Sequence, residues 1–595
     1  MRAALMSRQM TQGEAQMEET LKSRPMRGWR AQTSPALLAL AALPIGVILL
    51  FVAVMIWVSF QRGLLGASAA AYTLENYRAV FTDPFLYRVL WNTVVFTLST
   101  TVVALAIGLP IAWLAERTTI PGKTLIYAIM TLGLLIPGIY TAMGWTFIAH
   151  PRIGFLNRWL MDLFGLAAAP INIATPLGMG FVQGLSLAAV VFILTAQMFR
   201  AMNPTLEEAA QAHGMSFFTT IRRVTLPLAL PGILAAVIYV VTIGIATFDI
   251  PAILGLGNRV YMLSTFIYLK VHPQGSGLPE YGVTGAVGAC MIVVAALLTS
   301  WYGQVLRSGH RFEVVTGKGY RPALIGLGRW SAAGWLFIAF YAFISKLLPL
   351  LLIIYAALTP YFAPPSMEMM RKLSLVHFYN MEWELVLRGA RNTALLVLVV
   401  PLSVLVFAFA ISWLVVRSRS RARYAIEFAA FLPQALPEVI LAVGALLLAL
   451  FVLGDYVPLY GSVWLIAIVY VAARIAFATR ALNGSLLQIH RELEEAAFVS
   501  GLSTFRTAWR VLLPLLRPTL LSVWIWTALL VYRELTVAVF LGVHDNITFP
   551  AVIWSYWYAG GMNKASAVTL LMTVLLAPLI TAFWWLGRRS QAAGQ

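Results

Sequence analysis

Apolar residues in this chain come in long runs separated by short polar gaps, without the alternation expected of half-buried strands. The first run, Leu37 to Phe60, has 24 residues; as a helix it is ~36 Å long, enough to cross a ~30 Å hydrocarbon core. Further runs lie near 89–115, 124–149, 181–199, 228–250 and 283–306, then near 336–360, 394–416, 425–453, 462–482, 516–541 and 567–587. They predict an all-α integral membrane protein of about 12 transmembrane helices, arranged as six plus six. A cleavable signal has a shorter apolar core nearer Met1, so the first run reads as an uncleaved span. The run 331–362 is interrupted by Lys346, which assigns part of it to the membrane interface, and 462–482 contains Arg474.

One polar stretch occurs twice. LEEAAQAHGMSFFTTIRRVTLP, Leu206 to Pro227, returns as LEEAAFVSGLSTFRTAWRVLLP, Leu493 to Pro514; over Leu206–Pro231, 15 of 26 positions match their partners 287 residues on. Upstream the offset is 300: Asn92-Thr93 returns as Asn392-Thr393, Trp113 and Arg117 as Trp413 and Arg417, Pro137 and Gly144 as Pro437 and Gly444. The first half thus holds about 13 extra residues, placed in the loop 150–180. This is an internal duplication. Six spans per unit give both units the same sense, so they form parallel repeats about an axis along the membrane normal. The resulting division is a tail at 1–34, a first repeat at 35–308 with its loop at 206–227, a linker at 309–335, and a second repeat at 336–590 with its loop at 493–514.

The repeated stretch reads as a helix–turn–helix. Thr205 to Glu208 is a capping box whose second copy has Glu492 in the cap position. Gly214 and Gly501 can end the short helix in a left-handed conformation; Ser216 caps the next helix, and Pro227 and Pro231 mark the start of a span. The Ala209-Ala210 and Ala496-Ala497 pairs make a small face that admits close approach. Glu207, Glu208, Glu494 and Glu495 offer charge-assisted bonds to Arg or Lys on a partner. An ordinary solvated loop is the alternative, but the flanking spans have diverged more than the stretch itself, which favours a docking surface.

Composition agrees: 60% of residues are hydrophobic, 11% charged, and mean hydropathy is +0.82. The +19 net charge does not signal nucleic acid, because 27 of the 42 Lys and Arg fall in the segments that a cytoplasmic amino terminus places inside. Both termini and both repeated stretches then lie in the cytoplasm. The one cysteine, Cys290, excludes an internal disulfide. No G-x4-G-K-[ST] phosphate loop, metal-ligand cluster or nucleophile–base motif stands out, so ATP hydrolysis would have to come from another polypeptide.

Charge inside a membrane is costly and often functional. Asp249 and Glu534 align at an offset of 285, with Arg533 adjacent to Glu534 and Arg474 in a neighbouring span. They read either as a polar lining or gate of a translocation path, or as helix caps and mutual partners.

The pattern EAA-x3-G-x9-[IV]-x-LP, at Glu208-Ala209-Ala210, Gly214 and Val224-x-Leu226-Pro227, and again at Glu495-Ala496-Ala497, Gly501 and Val511-x-Leu513-Pro514, resembles the signature loop of permease subunits in binding-protein-dependent ABC importers. The resemblance covers nearly the whole chain after residue 34, as two fused permease domains. It implies the type I importer permease fold, with Glu207, Glu208, Ala209, Ala210, Gly214, Glu494, Glu495, Ala496, Ala497 and Gly501 as ATPase-coupling residues. It implies two copies of an ABC ATPase subunit, a periplasmic solute-binding protein, surrounding lipid, no nucleic acid, no cofactor in this chain, and a bacterial inner membrane. The fused layout with RELTVAV and GVTGAVG is similar to ferric-iron importers; thiamine, 2-aminoethylphosphonate and polyamine importers of the same class are alternatives. A secondary transporter is the alternative of another class, but it has no use for a repeated cytoplasmic Glu-Ala-Ala helix.

Overall fold

The computed structural model describes residues 35–62, 71–202, 205–273, 277–309, 324–417 and 422–592. The tail at 1–34 and most of the linker lie outside them. The first repeat builds α1 (Pro35–Ser59), α2 (Pro84–Arg117), α3 (Lys123–Leu135), α4 (Gly138–Ala149), α5 (Pro176–Ala201), α6 (Thr205–Ala212), α7 (Leu226–Ala246), α8 (Leu263–Val271) and α9 (Tyr281–Gly309). The second builds α10 (Trp330–Ala342), α11 (Leu348–Leu358), α12 (Trp383–Arg417), α13 (Ala422–Ala435), α14 (Glu438–Phe451), α15 (Val463–Gln488), α16 (Arg491–Val499), α17 (Leu513–Tyr532), α18 (Thr536–Leu541), α19 (Phe549–Tyr558) and α20 (Met562–Ala592). Paired strands among the described residues are limited to a two-residue antiparallel ladder, Gln61–Arg62 with Ala71–Tyr72.

Among the described residues, nine helices are long and apolar enough to span a membrane, and three further pairs are bent at a short break. Two of those pairs correct the expectation of straight spans at 124–149 and 425–453. α3 and α4 meet at 94°, α13 and α14 at 101°. The cause is the recurring proline: Pro137 and Pro437 are extended, with ψ of 144° and 138°, and proline disfavours a helical residue before it.

The third bent pair, Pro251–Asn258 with Leu263–Val271, turns by 68° and re-enters the bundle on the side it left. α7 starts beside the repeated helix α6, and α9 starts beside the end of α1, where a Cβ on Gly285 would lie 2.9 Å from Met55 O. The segment between α7 and α9 therefore begins and ends opposite α6. The chain does the same at α18 and α19, so the expected span 516–541 is broken: α17 stops at Tyr532 and α18 starts at Thr536. The recurring Asn-Thr pairs hold these segments. Thr93 Oγ1 accepts from Leu263 N at 2.9 Å and Thr393 Oγ1 from Phe549 N at 2.8 Å, each satisfying an orphan N–H at a helix start.

The run 331–362 is continuous: Trp330–Leu358 is long and apolar enough to cross a membrane as one unit, and Lys346 sits in a π turn, Phe343–Leu347, between α10 and α11. Similar π turns, Ile221–Thr225 and Ala508–Leu512, precede α7 and α17. The spans therefore begin before Pro227 and Pro514, and the wider turn accommodates the N–H that each proline lacks.

The first span of each repeat packs on the other repeat. A Cβ on Gly144 of α4 would lie 2.4 Å from Pro349 Cβ in α11, and one on Gly444 of α14 would lie 2.7 Å from Phe51 O in α1. Tyr341 Oη donates to Leu185 O at 3.0 Å and Trp335 Nε1 to Pro121 O at 3.1 Å, tying the second repeat's first span to the first repeat. Close approach of small residues is how helices associate when lipid removes the hydrophobic drive between them.

Gly144→Leu and Gly444→Leu should each destabilise the detergent-solubilised protein by about 1–3 kcal/mol, as overpacking does. Gly484→Leu, where a Cβ meets nothing within 4 Å, should leave the unfolding temperature unchanged. Equal melting of all three would refute the interlock.

Candidate functional site

The two repeated helices sit at one end of the bundle and have the same design. α6 and α16 each end at a left-handed glycine, Gly214 at φ +81° and Gly501 at φ +80°. Met215 N reaches back to Ala210 O at 3.1 Å and Leu502 N to Ala497 O at 3.0 Å, closing each helix in the Schellman manner. Ser216 and Ser503 then cap the next turn, accepting from Thr219 N and Arg506 N at 3.4 Å.

The four glutamates do not share one role. Glu207 and Glu494 are 6% and 4% exposed and bind within the chain, correcting the expectation that they reach a partner. Arg117 Nη2 and Thr225 Oγ1 donate to the Glu207 carboxylate, the hydroxyl at 2.6 Å. Arg417 Nε donates to Glu494 at 2.6 Å and Trp413 Nε1 at 3.3 Å. Glu208 is exposed and Glu495 half-buried. The alanine pairs divide likewise: Ala209 and Ala496 are exposed, Ala210 and Ala497 buried. Leu206 and Met215 near α6, with Leu493, Val499, Phe505 and Trp509 near α16, add exposed apolar side chains.

The intramembrane charges form a second cluster, gathered where helices break. Arg533 lies just past α17, and its Nη1 donates to Leu134 O and to Ile136 O, the latter at 3.2 Å; a residue of the second repeat thus caps the end of α3 in the first. Asp249 lies past the end of α7. Its carboxylate rests against Gly138, the first residue of α4, where a Cβ would meet Oδ2 at 2.7 Å, and it accepts from Thr536 Oγ1 at 3.4 Å. Glu534, between α17 and α18, caps the start of α18, accepting Val537 N at 3.1 and 3.2 Å. Arg474 Nη1 donates to Glu438 at 2.5 Å.

Asp249 and Glu534 align in sequence yet act differently. Both breaks place a carboxylate at the positive start of the following helix, α4 or α14, where an anion is favoured. The second repeat supplies it from Glu438 itself. The first has Gly138 at the matching position and takes it from Asp249. Glu438 and Lys346 complete the cluster and escaped the sequence reading, although Glu438 directly follows the recurring Pro437 and Lys346 interrupts an apolar run. The Lys346 ammonium packs against Gly133, where a Cβ would lie 3.0 Å from Nζ. Three carboxylates and three cations therefore share this region: Asp249, Glu438 and Glu534 with Lys346, Arg474 and Arg533.

Comparison with known proteins matches the family model described as "Binding-protein-dependent transport system inner membrane component" twice, at residues 104–311 and 404–592, more than half of the chain. A probable ABC transporter permease protein, y4fN, of Sinorhizobium fredii is 25% identical over 83% of this chain and 86% of its own. The ferric transport system permease protein FbpB of Actinobacillus pleuropneumoniae is 23% identical over 84% of this chain and 71% of its own. The molybdenum transport system permease protein ModB of Escherichia coli is 26% identical over 38% of this chain and 97% of its own, the length of a single repeat. The chain belongs to the binding-protein-dependent transport system inner membrane component family and carries that domain twice, as an ABC importer permease of the type I fold.

Proposed function

We propose that the chain passes ferric iron from a periplasmic binding protein to the cytoplasm, driven by two ATPase subunits docked on α6 and α16. The observation that carries the cargo is the ferric permease relative, which matches across both repeats, whereas the molybdenum permease matches over the length of one. The docking reading is supported by the recurrence of solvent-facing positions, exposed Ala209 with Ala496 and exposed Glu208 with half-buried Glu495, beside exposed apolar residues at the same end of the bundle. The Lys and Arg distribution supports placing both termini and both docking helices on the cytoplasmic side.

The transport path runs between the repeats, past the charged cluster at the helix breaks. In the conformation described here Asp249, Glu438, Glu534, Arg474 and Arg533 are engaged with each other or with helix ends, while Lys346 lies over the Tyr341 ring, and among the described residues no three acidic, His or Cys side chains converge as a metal-ligand set. In this reading cargo choice rests with the binding protein, and the cluster serves as a gate whose partners exchange as the repeats move. ATP closes the ATPase dimer, draws α6 and α16 together and turns the path outward; hydrolysis returns it.

Uptake of labelled ferric iron in iron-starved source cells should fall to background both on deletion of the chain and in the double variant Glu208→Ala with Glu495→Ala. Unchanged uptake in the deletion, with no redundant route, rejects iron and leaves thiamine, 2-aminoethylphosphonate and polyamine to be tried. The cluster has its own test. Glu438→Leu alone should cost about 3–5 kcal/mol by stranding Arg474, and adding Arg474→Met should restore most of that stability. A gate predicts that the restored double variant folds yet transports poorly; normal uptake by it would make the pair a structural brace only.

A further inference from the structure

The buried pairs Arg117–Glu207 and Arg417–Glu494 do more than fold a loop. Each joins a docking helix to the last residue of the longest helix in its repeat. α2 has 34 residues and α12 has 35, so each rod is about 51–53 Å long and runs through the whole bundle. The side chains in these pairs are 1% and 8% exposed in the first and 12% and 5% in the second. Each guanidinium also holds the backbone leading into the docking helix, Arg117 Nη1 through Met202 O at 3.3 Å and Arg417 Nη2 through Ile489 O at 2.9 Å.

The pairing survives a change of spacing. Its residues are 90 apart in the first repeat and 77 apart in the second, because the extra residues of the first repeat fall between them. A contact kept while the intervening chain changes length is set by three-dimensional position, not by local sequence. In their opposite halves the same helices hold Thr93 and Thr393, which cap the re-entrant helices α8 and α19. Those re-entrant segments follow directly on Asp249 and Glu534. An unbroken series of bonded elements thus runs from docking helix to arginine, along the long helix, to threonine and the re-entrant segment beside the charged cluster.

We propose that Arg117, Glu207, Arg417 and Glu494 are positioning residues that lock each docking helix to its long helix, so that the ATPase stroke is delivered to the far end of the path through α2 and α12. This rests on the importer reading above and adds a second route beside the helices that follow Pro227 and Pro514. Loss of the lock should leave docking intact and uncouple the far end. A brace that only folds the loop would instead loosen the ATPase.

The test uses the whole complex in nanodiscs, in a Cys290→Ser background with spin labels at Tyr87→Cys and Leu387→Cys, exposed positions near the far ends of α2 and α12. The label–label distance is measured without nucleotide and with ATP and vanadate. The parent should show a nucleotide-dependent shift. Glu207→Gln with Glu494→Gln should abolish it at unchanged ATPase stoichiometry and hydrolysis. The charge exchanges Arg117→Glu with Glu207→Arg, and Arg417→Glu with Glu494→Arg, should bring it back. A full shift in the Gln variant overturns the proposal, and so does loss of the shift together with the ATPase. A parent that retains no ATPase at all overturns the importer reading instead.

Discussion

A helix that breaks inside a membrane strands backbone groups that water cannot reach, and each must find a partner within the protein. That constraint organises the centre of this molecule. α3 breaks before α4, and Arg533 supplies donors to the carbonyls of Leu134 and Ile136. α17 breaks before α18, and Glu534 accepts the N–H of Val537. α8 and α19 start inside the bundle, and Thr93 and Thr393 receive their first N–H groups. Asp249, Glu438, Arg533 and Glu534 stand where the backbone is interrupted, and Arg474 reaches Glu438 there from the middle of α15.

The same breaks need room, and the repeats make it for each other. Gly144 and Gly444 let the first span of the opposite repeat lie against α4 and α14, just past the bends. Each repeat's core includes a span of the other, since α1 packs on the second and the α10–α11 span packs on the first. Fusion into one chain ensures that the two come together in equal number, and the bridge between Thr118 and Ile325 joins the linker to the residue that follows α2.

Much of this was legible in the sequence, for a physical reason. The all-α class and the six-plus-six pattern follow from apolar run length, which the bilayer fixes. The recurring residues marked tertiary contacts: Asn-Thr pins the re-entrant segments, Trp and Arg meet the buried glutamates, Pro bends a span and Gly receives one. What stayed hidden was geometry that composition does not carry. An apolar run gives no sign that it turns by about a right angle at proline, and a re-entrant segment has the composition of a span. The glutamates of the repeated stretch read alike, since an eight-residue helix does not reveal from its own sequence which face is covered. Their separation required the distant Arg117 and Arg417, whose recurrence was visible but whose partner was not.

The repeats have kept some features alike and let others drift, and the division follows from what each end must meet. At the docking end Glu207 and Glu494, and Ala210 and Ala497, are buried alike, and Ala209 and Ala496 are exposed alike. At the breaks the repeats differ: Gly138 stands opposite Glu438, and the carboxylate of the first repeat is borrowed from Asp249. A single path between two repeats has no need of matched walls, because one cargo meets both sides at once. The repeats are thus more alike at α6 and α16 than at the breaks, as the proposed pair of ATPase subunits and single path would have it. That contrast, internal to a single sequence, supports a division between a drive shared by both repeats and a gate built chiefly from the second.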